Sequence, residues 1–146
     1  MTIVRALAGD ADLVAPVDGK FRPVSPDDYE DQVRYLAYGF MVKGYDRNSD
    51  IIVTGLDDNS YAFVNAACRL AHLNVLRCDG TDTNVSYKAR VIFMFGKSTA
   101  SASLPDSIIV EADGICSSLD YLIMLGRTWE IKYKPSVDRT FMELLS

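Results

Sequence analysis

The segment that most constrains this chain is residues 85–95, VSYKARVIFMF, which alternates polar and apolar positions and then turns wholly apolar before Gly96. Alternation with a period of two is strand patterning, and the apolar end marks a strand that enters the interior of a sheet. A strand of that kind needs neighbours and a cover, which rules out a purely helical fold. The cover is found at about residues 59–74. There Phe63, Ala66, Ala67, Leu70, Ala71 and Leu73 recur every three or four positions, behind Asp57, Asp58, Asn59 and Ser60 as N-cap choices. At 146 residues and 49% hydrophobic content the chain can bury one sizeable core without metal or disulfide.

The remaining patterning predicts an α+β fold: a mostly antiparallel sheet packed with one principal helix and a possible C-terminal helix. The aromatic, Gly-interrupted run VRYLAYGFMVKGY at 33–45 reads as a long strand, as do residues 51–54, 108–110 and 129–133, the last stopped by Pro135. Residues 117–125 suit helix or strand, and Ser136 can cap a short helix carrying Val137, Phe141, Leu144 and Leu145. Residues 1–31 hold Pro16, Pro23 and Pro26 and few apolar anchors, and read as a flexible acidic arm before a single globular domain at 32–146. The expected core is Phe40, Ile52, Phe63, Ala67, Leu70, Ile92, Met94, Ile109 and Leu122.

Charge and motif chemistry exclude more than they assign. The net charge is −5, and residues 1–58 carry eleven acids against six bases, which argues against a sequence-specific nucleic-acid binder held by a basic field. Three cysteines without a secretory signal do not make a disulfide framework, and no run reaches the ~18 apolar residues a spanning helix needs. The expected product is neither secreted nor membrane-spanning. Gly96-Lys97-Ser98 resembles the end of a phosphate loop, but the glycine required five positions earlier is Val91. Asp46, Asn48 and Asp50 mimic calcium ligands, yet Ile51 stands at the turn position that must be glycine. Cys68, His72 and Cys78 lack a fourth zinc ligand, and a Cys116–His72–Asp120 nucleophile set has nothing in the sequence to assemble it. No metal, cofactor or catalytic residue is therefore expected, and the chain is read as non-enzymatic.

One resemblance goes further. The passage DQVRYLAYGFMVKG, then Ser60-Tyr61 opening an alanine-rich helix with Val64, Ala66, Ala67 and His72, then Tyr87-Lys88 and an apolar strand ending in Gly96-Lys97-Ser98, is similar in order to the globular domain of rhabdovirus matrix proteins over residues 31–104. The N-terminal segment departs from that family, with Ser25-Pro26-Asp27-Asp28-Tyr29 where a Pro-Pro-x-Tyr motif is common. The resemblance implies a structural matrix-like protein in the virion and at the inner membrane face or in the host cytoplasm. Such a protein forms open-ended oligomers and links nucleocapsid to an anionic membrane during assembly and budding. On that reading Val17, Phe21, Pro23 and Val24 serve self-association, and Lys97, Ala100, Ala102 and Leu104 meet the membrane. The alternatives are a small non-catalytic protein-interaction module of host or phage, or a thiol enzyme.

Overall fold

A computed structural model of the chain describes residues 8–18, 20–45, 49–53, 56–77, 90–95, 108–109 and 117–145. In chain order the elements are β1 (Val14–Val17), β2 (Lys20–Pro23), α1 (Pro26–Val42), β3 (Ser49–Val53), α2 (Asp58–Leu70), β4 (Asn74–Arg77), β5 (Arg90–Phe95), β6 (Ile108–Ile109), α3 (Ser117–Thr128) and α4 (Glu130–Leu145). The α+β class, the principal helix expected near 59–74 and a C-terminal helix are all present. The strand directions differ from the expectation. Among the described residues only β1 and β2 pair antiparallel, whereas β4-β3-β5-β6 form a four-stranded sheet in which each described pair is parallel. In register, Ile51 lies between Val75 and Ile92, and Val53 between Arg77 and Met94.

The largest correction concerns residues 33–45, of which 33–42 are helical and none is in a strand. Ser25 caps α1 by accepting from the Asp28 backbone N–H at 3.2 Å, Pro26 takes the first turn where no amide is missed, and Asp27 and Asp28 face the positive end of the helix dipole. Tyr29, Val33, Leu36, Ala37 and Phe40 then fall on one face at helical spacing, and each is buried. Of the edge strand expected at 129–133, residues 130–133 are helical, as the start of α4, and Trp129 is in the turn before it. Pro135 sits inside that helix, where it leaves the Ile131 carbonyl without its usual donor. Ile131 is 94% exposed and Pro135 is exposed, so water can satisfy that carbonyl and the helix survives. The open choice for 117–125 resolves to helix, as α3.

The boundary expected at residue 32 falls inside α1. Residues 14–24, expected as part of an extended arm, are a hairpin laid on the folded unit: Ala15 is fully buried and the Val24 amide donates to the Leu13 carbonyl at 3.0 Å. Phe21 meets Phe63 edge-on at 6.0 Å between ring centroids, and Tyr29 meets the same ring at 5.6 Å, so one aromatic cluster joins hairpin, α1 and α2. Of the expected core, Phe40, Phe63, Ala67, Leu70 and Leu122 are buried. The side chains of Ile52, Ile92, Met94 and Ile109 lie outside the described residues.

Helix α1 is the hub, touching β1, α2, α3 and α4, with its most extensive contact on α3. That contact is a reciprocal glycine crossing. A Cβ on Gly39 would overlap the Leu122 carbonyl oxygen, and one on Gly126 would overlap the Tyr35 carbonyl oxygen and come within 2.8 Å of the Gly39 nitrogen. Helix α4 is held to α1 by Arg34, whose guanidinium donates to Asp138 at 2.5 Å and lies 4.4 Å from the centre of the Phe141 ring. Lys134 donates to the other Asp138 oxygen at 2.7 Å. Hydrogen bonding from Lys134 is the main influence holding the Asp138 carboxyl below its ordinary range, and Arg34 adds to it.

Two outcomes follow for stability. Gly39→Ala and Gly126→Ala each force backbone apart and should cost about 3 kcal/mol or more in denaturant unfolding, and the double variant should cost less than the sum, because the two sites share one contact. Because the folded pKa of Asp138 is depressed, its stabilisation is full above the unfolded value of ~3.9 and fades as pH falls through the lower folded value. Asp138→Asn should therefore be less stable than the parent protein at pH 6 to 7, with the gap closing in acid.

Candidate functional site

Among the described residues two places on the surface have the geometry of a site. The first is the carboxyl edge of the parallel sheet. Strand β3 leaves this edge at Val53 and the chain crosses through α2 to β4, while β5 flanks β3 on the other side and pairs onward with β6. The connections on the two sides thus run in opposite directions, and the edge between β3 and β5 is a topological switch point. Asp57 caps α2 there, accepting from the Ser60 amide at 2.8 Å. Arg77, the last residue of β4, donates to the Leu56 carbonyl at 3.0 Å, pairs with Asp58 at 2.7 Å and lies 4.8 Å from the Tyr61 ring centre. One arginine therefore ties the start of α2 to the strand beside β3, and the positive end of the helix is already occupied by the chain's own carboxylates.

The second place is a cleft of about 510 Å³ between the hairpin and α3, lined by Val17, Val24, Asp28, Asp120, Met124 and Arg127 among others. Beside it the outer face of α3 exposes large apolar side chains, Tyr121 at 49% and Met124 at 58%. Arg127 lies over the Tyr35 ring at 5.1 Å.

The residues expected for self-association divide. Val17 is exposed and lines the cleft with half-buried Val24, Pro23 is exposed at the end of β2, and Phe21 is spent on Phe63 of its own chain. Phe21 thus packs on its own chain and is partly buried there. Lys97, Ala100, Ala102 and Leu104 lie outside the described residues, as do Asp46, Asn48, Cys78, Cys116 and the Gly96-Lys97-Ser98 turn.

Cys68 and His72 do not share a helix face. Cys68 is fully buried, and burial pushes its thiol far up. His72 stands past the end of α2 at φ 60°, with its amide on the Arg69 carbonyl and the Leu73 amide on the Cys68 carbonyl, a helix-ending pattern in which glycine is usual. The His72 ring reaches α4 through Nε2 and Thr140 Oγ1 at 2.9 Å. Thr140 already donates to the Ser136 carbonyl, so Nε2 is the donor to it. Among the described residues no three metal-ligating side chains come together. The Arg77 cluster and the α3 face escaped sequence reasoning; the sole signal for the first was Asp57-Asp58 at a helix start, and for the second an excess of apolar residues over one helical face in 117–125.

No family model matches the chain, and neither does any curated protein. Among solved structures the chain is similar to the A-PCP didomain of carboxylic acid reductase from Segniliparus rugosus in complex with AMP, with a TM-score of 0.53 and 12% identity. The likeness covers 97% of this chain and 26% of that one, so this chain spans about a quarter of that protein's length. At that identity it bears on the fold alone: the parallel sheet with its helices is an arrangement also found within a much larger enzyme.

The roles of the two acids at the α2 start are separable. Asp57→Ala removes the cap and should cost about 1 kcal/mol, whereas Asp58→Asn, which loses only an exposed ion pair with Arg77, should change unfolding free energy by less than about 0.5 kcal/mol.

Proposed function

We propose that the protein is a nucleotide-binding module that takes an adenine nucleotide at the carboxyl edge of its parallel sheet. The observation that carries this reading is the switch point between β3 and β5, because open parallel sheets bind ligands in the crevice that such a reversal leaves at the strand ends. The chain continues from β5 into Gly96, Lys97, Ser98 and Thr99, which supply a glycine, a cation and two hydroxyls of the kinds that hold phosphate, without the full spacing of a phosphate loop. The AMP held by the structurally similar enzyme supports an adenine nucleotide as the ligand to try. The function is binding, and no chemical step is assigned to these residues.

A second reading is favoured by the exposed α3 face. Tyr121 and Met124 beside an open cleft are the surface of a protein-interaction module. A matrix-like role needs a self-association face of this kind, although the passage that anchored that resemblance, DQVRYLAYGFMVKG, lies largely in α1 and not in a strand.

Calorimetric titration with AMP and ATP, with thermal unfolding alongside, tests the first reading. Saturable binding is expected, with stabilisation of about 2.7 kcal/mol at a hundredfold excess over Kd. Lys97→Ala should weaken binding by about tenfold while leaving the unliganded Tm unchanged. Absence of heat and of any Tm change at millimolar AMP and ATP would overturn the proposal.

A further inference from the structure

Helix α4 is joined to α3 by a single residue, and we propose that this corner opens so that two copies of the chain exchange α4, each seating it on the other's body in a closed two-fold dimer. This goes beyond nucleotide binding and does not depend on it.

Trp129 alone separates α3 from α4. Its amide donates to the Leu125 carbonyl at 3.2 Å, the four-residue step of a helix, and to the Gly126 carbonyl at the same distance. The path turns only beyond it, where the Lys132 amide reaches back three residues to the Trp129 carbonyl at 3.1 Å. From Arg127 to Lys132 the sequence holds neither glycine nor proline, so nothing local forbids a helix straight through the corner. The docking of α4 on α1 and α2 holds the bend, and so short a connection is the kind of hinge that favours exchange between copies.

That docking carries its own specificity. Val137 and Phe141 are buried, Arg34 of α1 pairs with Asp138 and lies over the Phe141 ring, and His72 beyond the end of α2 meets Thr140. Arg34 and His72 belong to the body and not to α3, so the α4 of a second copy finds the same partners in the same places. Exchange keeps these contacts and adds one. On a straight helix Tyr121, Met124, Thr128 and Ile131 recur at spacings of three, four and three, which is a single stripe. The closed corner splits that stripe and leaves all four side chains exposed. In the exchanged dimer the two straightened helices cross at the two-fold axis with the stripe between them, an interface that exists only in the open form.

Mixing two charge variants tests this. Alone, Arg34→Asp opposes two acids and Asp138→Arg opposes two bases, so each chain seats its own α4 poorly. In a mixed exchanged dimer each α4 meets the opposite charge on the other chain's body, once in the native sense and once reversed. Sedimentation of the equimolar mixture should show a one-to-one complex at least about tenfold tighter than the self-association of either variant. The parent chain at about 200 μM should form a dimer that stops at two, and Ile131→Glu should weaken it at least about tenfold while leaving the circular dichroism of the monomer unchanged. A mixture of folded variants that sediments only as separate monomers, a parent protein that stays monomeric or grows without limit at that concentration, or a parent dimer that Ile131→Glu leaves as tight would each overturn the proposal.

Discussion

The crossing of α1 over α3 at Gly39 and Gly126 is the contact from which the rest of the molecule hangs. It brings two helix backbones to a separation that no side chain on those positions permits. Along the same helix Arg34 meets Asp138 and Phe141 of α4, and Tyr29 meets Phe63 of α2. The Tyr38 hydroxyl is buried beside Arg34, and that burial pushes its phenol up. Because α3 also touches β6, the glycine contact fixes the helical layer against the far edge of the sheet, while α2 fixes it against β4.

What the sequence discloses follows from how local each determinant is. The α2 helix and β3 are read within a few residues of their limits, and β5 and β6 fall inside the runs expected for them, because their apolar periods and caps are self-contained. The error at α1 came from weighing Tyr35, Tyr38, Phe40 and Val42 as strand formers above the Ser25-Pro26-Asp27-Asp28 start, although the buried positions Tyr29, Val33, Leu36 and Phe40 keep helical spacing. Gly39 misled for a physical reason: a glycine inside a helix is unfavourable by itself, and what offsets it is a partner helix 83 residues later at Leu122. Strand direction was illegible on the same ground. Alternation specifies a face, while parallel or antiparallel pairing is decided by crossovers such as α2, whose docking is a tertiary fact.

The candidate site was less legible than the fold. Asp57 and Asp58 announce a helix start, but nothing nearby in sequence links them to Arg77, nineteen residues beyond Asp58, which reaches back to hold that start. The arm expected at the N-terminus was inferred from its prolines. In the structure Pro16 and Pro23 sit in a short two-stranded hairpin, where a missing amide is tolerated at an edge.

Charge gives the carboxyl edge of the sheet a polarity that bears on any anion bound there. On the β4 side, α2 begins with Asp57 and Asp58, and Arg77 is drawn into pairing with Asp58 and into the Leu56 carbonyl. The helix end that usually welcomes phosphate therefore presents carboxylates, and a phosphate placed there would meet repulsion from an arginine-balanced but still acidic pair. On the β5 side the chain continues into Lys97 with no acid before Asp106. An anionic group at this edge is accordingly disfavoured over the start of α2, where the chain's own acids already occupy the positive end of the helix.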